Sequence, residues 1–430
     1  MKRGLILAAM FFTCSNFLSA QIEFHGLFRQ HSAFRIAEPS DALVLRNRLR
    51  LNSELWSGDV YGFASVDFLN DAVADNQTEL NLREAYLDIY SSWVDFRIGK
   101  QQVVWGKADG YFINDIVNPL DLSLFLLQDF DDIRMATTML NTKFHRGNHS
   151  LELLVIPEFR PMNIDFEGNW AFRRPDSVAI PHPAASMIGE MMNIPMFYRE
   201  SSLPECSVKN FEYGLKLNMF LLGTDISLIY FKAREDQPVM QKEIFTNPSS
   251  SPHGIEMQVT PTHPWFTFYG LNFSRPVGMW VIRGEGGYYP RRFYDTMDFT
   301  TQADGFLTDK SFFQGMVGAE YQLSADLNIA VQAIQERLLD YEEAIVTDEV
   351  ANLGTLLLKG SFRNETIQPM WLTLYHFSND SYLSRIMIDW KYSDSFTITF
   401  GTDILGGKVD TIFGQFDKND NLYLKLRYDF

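Results

Sequence analysis

Between Leu43 and Trp56 the chain alternates with a period of two. Leu43, Leu45, Leu49, Leu51 and Leu55 fall on one face, and Arg46, Arg48, Arg50, Asn52 and Glu54 on the other. That period belongs to a β-strand, whose successive side chains point to opposite sides of a sheet. An arginine on a lipid-facing strand costs about 2 to 4 kcal/mol near the bilayer midplane. If the leucines meet lipid, the three arginines must face an aqueous interior. Only a sheet closed on itself offers both surroundings to one strand without leaving an unpaired edge in the membrane.

The same alternation recurs along the chain. Ile22, Phe24 and Phe28 oppose Glu23, His25, Arg29 and His31; Val94, Phe96 and Ile98 oppose Asp95, Arg97 and Gln101. Trp280 and Ile282 oppose Arg283 and Glu285, and Ile386, Ile388 and Trp390 oppose Arg385, Asp389 and Lys391. In the last strand Leu422, Leu424 and Leu426 point one way and Lys425 and Arg427 the other, although an edge strand of a soluble sheet reads the same. If the first and last strands seal a barrel, Lys425 and Arg427 are expected beside Glu23 and His25.

Lys2 and Arg3, the apolar run Gly4 to Phe12 and Ser19-Ala20 have the layout of a secretory signal peptide, so residues 1–20 are expected to be removed, leaving residues 21–430 as one barrel. No later stretch is long and apolar enough for a membrane helix, so any crossing of a membrane falls to strands. Cys206 is the single cysteine after residue 20, which excludes an internal disulfide and a cysteine metal cluster. No cofactor or metal is expected. The net charge of −17 argues against a nucleic-acid partner. Aromatic residues make up 14% of the chain, which suits girdles at a membrane interface; a secreted sandwich or solenoid is the plainer reading of the same composition.

Turns between the strand-like segments alternate short and long. Ser57-Gly58-Asp59, Ser91-Ser92, Arg146-Gly147-Asn148 and Gly223-Thr224 are tight, whereas residues 107–135 and 160–208 form long loops. Short turns at one end and long loops at the other are the pattern of a transmembrane antiparallel barrel, and the count comes to about 18 strands, with 16 as the alternative. The inward arginines have two readings. They form a track for an anionic or polyhydroxylated solute, or they pair with Glu23, Glu54, Glu84 and Asp88 on neighbouring strands and stiffen the wall.

Residues 96–122 contain Gly99-Lys100-Gln101, Trp105-Gly106 and Asn118-Pro119-Leu120-Asp121. This segment resembles the strand-to-loop signature of a family of largely uncharacterised bacterial outer-membrane barrels, distantly similar to the alginate-export porins. Lys100 stands where that family commonly has arginine. The terminal Phe430 also resembles the aromatic end that the outer-membrane assembly machinery reads. These resemblances imply an outer-membrane location, lipids and assembly machinery as partners, and passive transport of an unspecified small or polymeric solute. Read physically, Trp105 is expected to anchor in the interface, Gly106 to permit a bend, and the loop after Pro119 to cap the barrel or fold into its mouth.

His376-Phe377-Ser378-Asn379 is similar to the short histidine and serine run of outer-membrane acyl hydrolases, which makes a lipid hydrolase using His376 and Ser378 one alternative. A closed structural or adhesive barrel is another. Asp417 to Asn421 lacks the glycine and terminal glutamate of a calcium hand and reads as a solvated loop.

Overall fold

A computed structural model describes residues 21–73, 77–181, 191–247 and 254–430; the expected signal peptide lies outside the described residues. Eighteen antiparallel strands form one sheet in which each is hydrogen-bonded to its neighbours along the chain. The first five are β1 (Gln21–Arg35), β2 (Ala42–Ser57), β3 (Val60–Asp71), β4 (Gln77–Ile89) and β5 (Val94–Gln101). The last, Asn421–Asp429, pairs back onto β1 and closes the barrel. No helix among the described residues is long and apolar enough to cross a membrane, which is a statement about helices alone.

The seal lies at a different register from the one expected. Lys425 stands opposite His31 and Arg427 opposite Arg29, while Glu23 and His25 pair only with β2, opposite Glu54 and Asn52. Strands in a barrel tilt and stagger, so the first residues of β1 run past the end of the last strand. Gly26 and Phe430 exchange backbone hydrogen bonds of 2.8 and 3.0 Å at that end. A Cβ on Gly26 would stand 2.3 Å from the Arg50 carbonyl oxygen, so only glycine lets the strands close there.

Tight turns and both described chain ends gather at one rim, and the long connections gather at the other. Apolar outward positions are widely exposed, for example Phe28, Leu51, Phe68, Leu271, Val331 and Phe400. Leu43 departs from the outward series. Ala33 pairs with Val44 and Phe34 with Ala42, which leaves Leu43 as an extra residue. That bulge turns it into a cluster with Val44, Leu124 and Phe125, where it is buried.

The loop at 160–208 is divided between two tasks. Trp170 is buried, with Phe172 packed beside it, against Phe125 and Phe416 over the barrel interior. Ser177–Pro181 and Met191–Tyr198 join Val239–Thr246 and Ile255–Thr262 in a separate four-stranded sheet with its own core of Ile180, Met192, Ile194, Met257 and Val259. The wall itself is uneven. β5 has 8 residues and pairs with β4 only from Ala85 to Ile89.

Candidate functional site

Arg29 on β1 and Arg46, Arg48 and Arg50 on β2 project into the barrel, and the period of two stacks the last three along one strand. Arg46 meets Asp71 at 2.9 Å. Arg50 holds Asp67 in a fork at 2.7 and 2.8 Å. The remaining counter-charges come from the loop after β5, which carries one helical turn, α1 (Phe130–Ile133). Asp132 binds Arg29, Arg48 and Arg50, the last at 2.7 Å, and Asp129 binds Arg29 and, at 2.6 Å, Lys425. The arginines are therefore paired, but not by the carboxylates expected. Glu54 lies 3.7 Å from His25, Glu84 holds Arg83 at 2.7 Å and Asp88 holds Arg97 at 2.6 Å; Glu23 is exposed and accepts from Gln21.

Burial pushes the Asp129 carboxyl up, yet Lys425 and Arg29 outweigh it and hold it well below the usual carboxylate range. Asp132 behaves likewise, with Arg48, Arg29 and Arg50 overcoming its burial. Both carboxylates are charged at neutral pH and lock α1 onto the ladder.

The same loop is tethered on the far side of the barrel. The Asn114 backbone N–H donates to Glu285 at 3.2 Å, Gln314 donates to the Ile113 carbonyl at 3.1 Å, and the Tyr111 hydroxyl donates to Glu336 at 2.5 Å. Arg283 reaches Asp109 at 3.2 Å. Held on opposite walls, the loop crosses the interior.

The signature residues organise its neck. Asn118 accepts from the Val103 N–H at 2.6 Å and donates to the carbonyls of Gln101 and Met135 at 3.3 and 3.1 Å, stitching the outgoing chain to the returning one. The Pro119 carbonyl accepts from Met135 at 2.8 Å, and Asp121 accepts from Ser123 at 3.1 Å and Asn163 at 2.8 Å. Gln101 is fully buried and donates to Met139 at 3.1 Å. Gly99 has φ 132, and a Cβ there would fall 2.2 Å from the Ala85 carbonyl oxygen.

Trp105 is not an interface anchor. It is 1% exposed inside the barrel, where its indole N–H donates to Glu152 at 3.2 Å and its ring packs edge-on to Phe231. Tryptophan suits a girdle only where its strand continues to the rim, and here β5 ends at Gln101 before the chain turns inward. Gly106 serves close packing: a Cβ would stand 2.7 Å from that of Asp115.

Elsewhere on the wall, Asp95 meets His145 at 2.7 Å and Arg97 also covers the Tyr86 ring at 4.1 Å. Arg385 is buried against Asp403 at 2.6 Å, Asp389 accepts from Thr399, Lys391 is exposed, and Arg427 folds onto Asp429 at 2.8 Å. His376 and Ser378 do not form a nucleophile and base pair. The Ser378 hydroxyl accepts from the Asn352 N–H at 3.0 Å, and the His376 Nδ1 is buried without a hydrogen-bond partner. Asn419 and Asp420, in the segment considered for calcium, accept from Arg35 and from the Leu405 N–H at 2.6 and 2.7 Å.

Between the ladder, α1 and residues 160–163 lies a cavity of about 400 Å³. Its walls carry Arg48, Arg50, Arg83, Lys100, Arg134 and Arg160 with four carboxylates; Glu84 and, at 2.5 Å, Asp115 pair Arg83 and Arg134 from outside the lining, which leaves Lys100 and Arg160 as the cations with no carboxylate at ion-pair distance among the described residues. The sequence reading missed Asp129, Asp132 and Arg160. The acidic run from Asp129 to Asp132 is the one signal that pointed to a partner for the arginine run.

A closed barrel with a charged loop drawn through its interior defines the class. Residues 45–430 match the model of the family described as protein of unknown function (DUF1302), and the chain belongs to that family. No curated protein matches it. Among solved structures it is similar to OccK2 (OpdF) of Pseudomonas aeruginosa in complex with glucuronate, at 10% identity and TM-score 0.53, over 95% of this chain and 98% of that one. It is also similar to OpdK of Pseudomonas aeruginosa with vanillate, at 10% identity and TM-score 0.51, with the same coverage. At that identity the likeness concerns the fold.

Proposed function

We propose that the protein is an outer-membrane channel for passive passage of a small anionic solute, with the arginine ladder and the loop at 107–135 setting what passes. The observation that carries this reading is the cavity beside α1, where Lys100 and Arg160 meet no carboxylate at ion-pair distance among the described residues. Arginine in such a site donates to carboxylate in a planar fork. The exposed apolar outer face supports a lipid surrounding, and with it the expected signal peptide, the outer-membrane lipids and the assembly machinery as partners. The resemblance of residues 96–122 to a family of outer-membrane barrels implies transport and names no solute. Glucuronate and vanillate, the compounds held in the two similar structures, are both carboxylates.

Planar-bilayer recording tests the channel. Stepwise conductance with anions more permeant than cations is expected; folded protein that does not conduct overturns the reading and leaves the closed structural barrel, which the doubly tethered loop favours.

A further inference from the structure

The wall is incomplete beside this cavity. Among the described residues Gln77 to Glu84 of β4 have no ladder partner on the β5 side, because β5 pairs only from Ala85 onward. Register assigns the faces. Leu82 stands opposite Val66 and Leu80 opposite Phe68, and Leu80 and Phe68 are exposed on the outer surface. Lys100 stands opposite Ala85, in the same outward series as Leu87 and Ile98. Yet Leu82 and Lys100 line one cavity with Arg48, Arg50 and Asp67, which belong to the inner face. The cavity therefore reaches the unpaired edge of β4, where the Lys100 side chain meets the Leu82 main chain.

The chemistry of the gap is two-sided. Lys100 donates to the Leu82 carbonyl on the unpaired edge and Arg160 to the Ala136 carbonyl at 3.0 Å; neither meets a carboxylate at ion-pair distance among the described residues. Beside these cations lie Leu82, Met135, Pro161 and Met162. A lysine on an outward face is costly against lipid unless an anion comes to it. We infer that the gap between β4, β5 and residues 160–163 is a lateral portal for an alkyl carboxylate, its head between Lys100 and Arg160 and its tail along Leu82 and Met162 toward the lipid. This rests on the membrane-channel reading and names the solute class and the route. A cavity of about 400 Å³ suits a single chain.

The test uses the protein refolded into liposomes, a diazirine-bearing decanoate as probe, irradiation, and mapping of adducts by mass spectrometry. Adducts are expected on Leu82, Met135 or Met162 in excess over outer-face residues such as Leu140 and Leu271. Competing hexanoate, or Lys100→Gln combined with Arg160→Gln, is expected to lower them at least about tenfold, the value of one lost charge-assisted hydrogen bond; hexylammonium is expected to leave them. Adducts spread evenly over the outer face, or displaced as well by hexylammonium as by hexanoate, overturn the portal. The competition is run on the unsubstituted chain, so it stands even if the double variant fails to fold. Conductance of the same preparation judges the channel separately: specific adducts without conductance support the portal and sink the channel, and conductance without specific adducts does the reverse.

Discussion

With its side chain 4% exposed and four guanidinium groups around it, those of Arg29, Arg48, Arg50 and, at 4.0 Å, Arg83, Asp132 carries much of the charge balance of the interior. Removing one partner of a buried ion pair typically costs about 3 to 5 kcal/mol, because the remaining charges are left uncompensated. Asp132→Asn is expected to lower the denaturation midpoint accordingly and to raise the anion-to-cation permeability ratio read from reversal potentials. The pH dependence follows from the lowered positions of Asp129 and Asp132. A carboxyl whose folded value is depressed contributes stability that is present above its unfolded value of about 3.9 and is lost as pH falls through the folded one. Denaturation midpoints should then be insensitive to this latch between pH 8 and 5 and fall only in stronger acid. A transition centred near pH 6 would assign the control to another group. At Gly106 any side chain meets Asp115. Gly106→Val is expected to cost about 1 to 3 kcal/mol by overpacking, measured as a shift in unfolding midpoint.

At the scale of elements, the loop after β5 links two walls that are far apart in sequence, with α1 on the ladder and Tyr111, Ile113 and Asn114 on the opposite strands. Replacing residues 122–133 with a short Gly-Ser linker is expected to increase single-channel conductance and strengthen anion preference, since it removes Asp129 and Asp132 while the arginines stay. Unchanged conductance would show that the loop does not limit the path. The elements themselves were legible where the period of two held: β1, β2, β5 and the last strand are strands of the barrel sheet. Leu43 and Trp105 were misplaced for a shared reason. A bulge at one and a chain reversal at the other break the alternation, and neither leaves a mark in the residue types.

At the scale of the molecule, exposed leucine, phenylalanine and valine around an 18-stranded wall make the outside apolar and the inside charged. Such a barrel is expected to fold in detergent or bilayers and to migrate faster unheated than boiled on a denaturing gel, since the closed ladder resists detergent until heated. Loss of that shift under folding conditions would count against closure in solution. The separate sheet over the long-loop rim was not foreseen, because its strands lie inside loops and their pairing joins Met191–Tyr198 to Ile255–Thr262 in parallel across a long stretch of chain.

Sequence alone determined that this chain builds strands with one apolar and one charged face, that an arginine row lines one interior surface, and that short turns alternate with long loops. Periodicity is local, and a strand's two faces are written in adjacent residues. Tertiary structure decided which charges meet. The partners of Arg29, Arg48 and Arg50 include a turn 82 to 103 residues away. The seam register, the inward course of the loop and the gap beside β4 depend equally on stagger and loop path. These are properties of closure around a common axis, and no local pattern of residues encodes them.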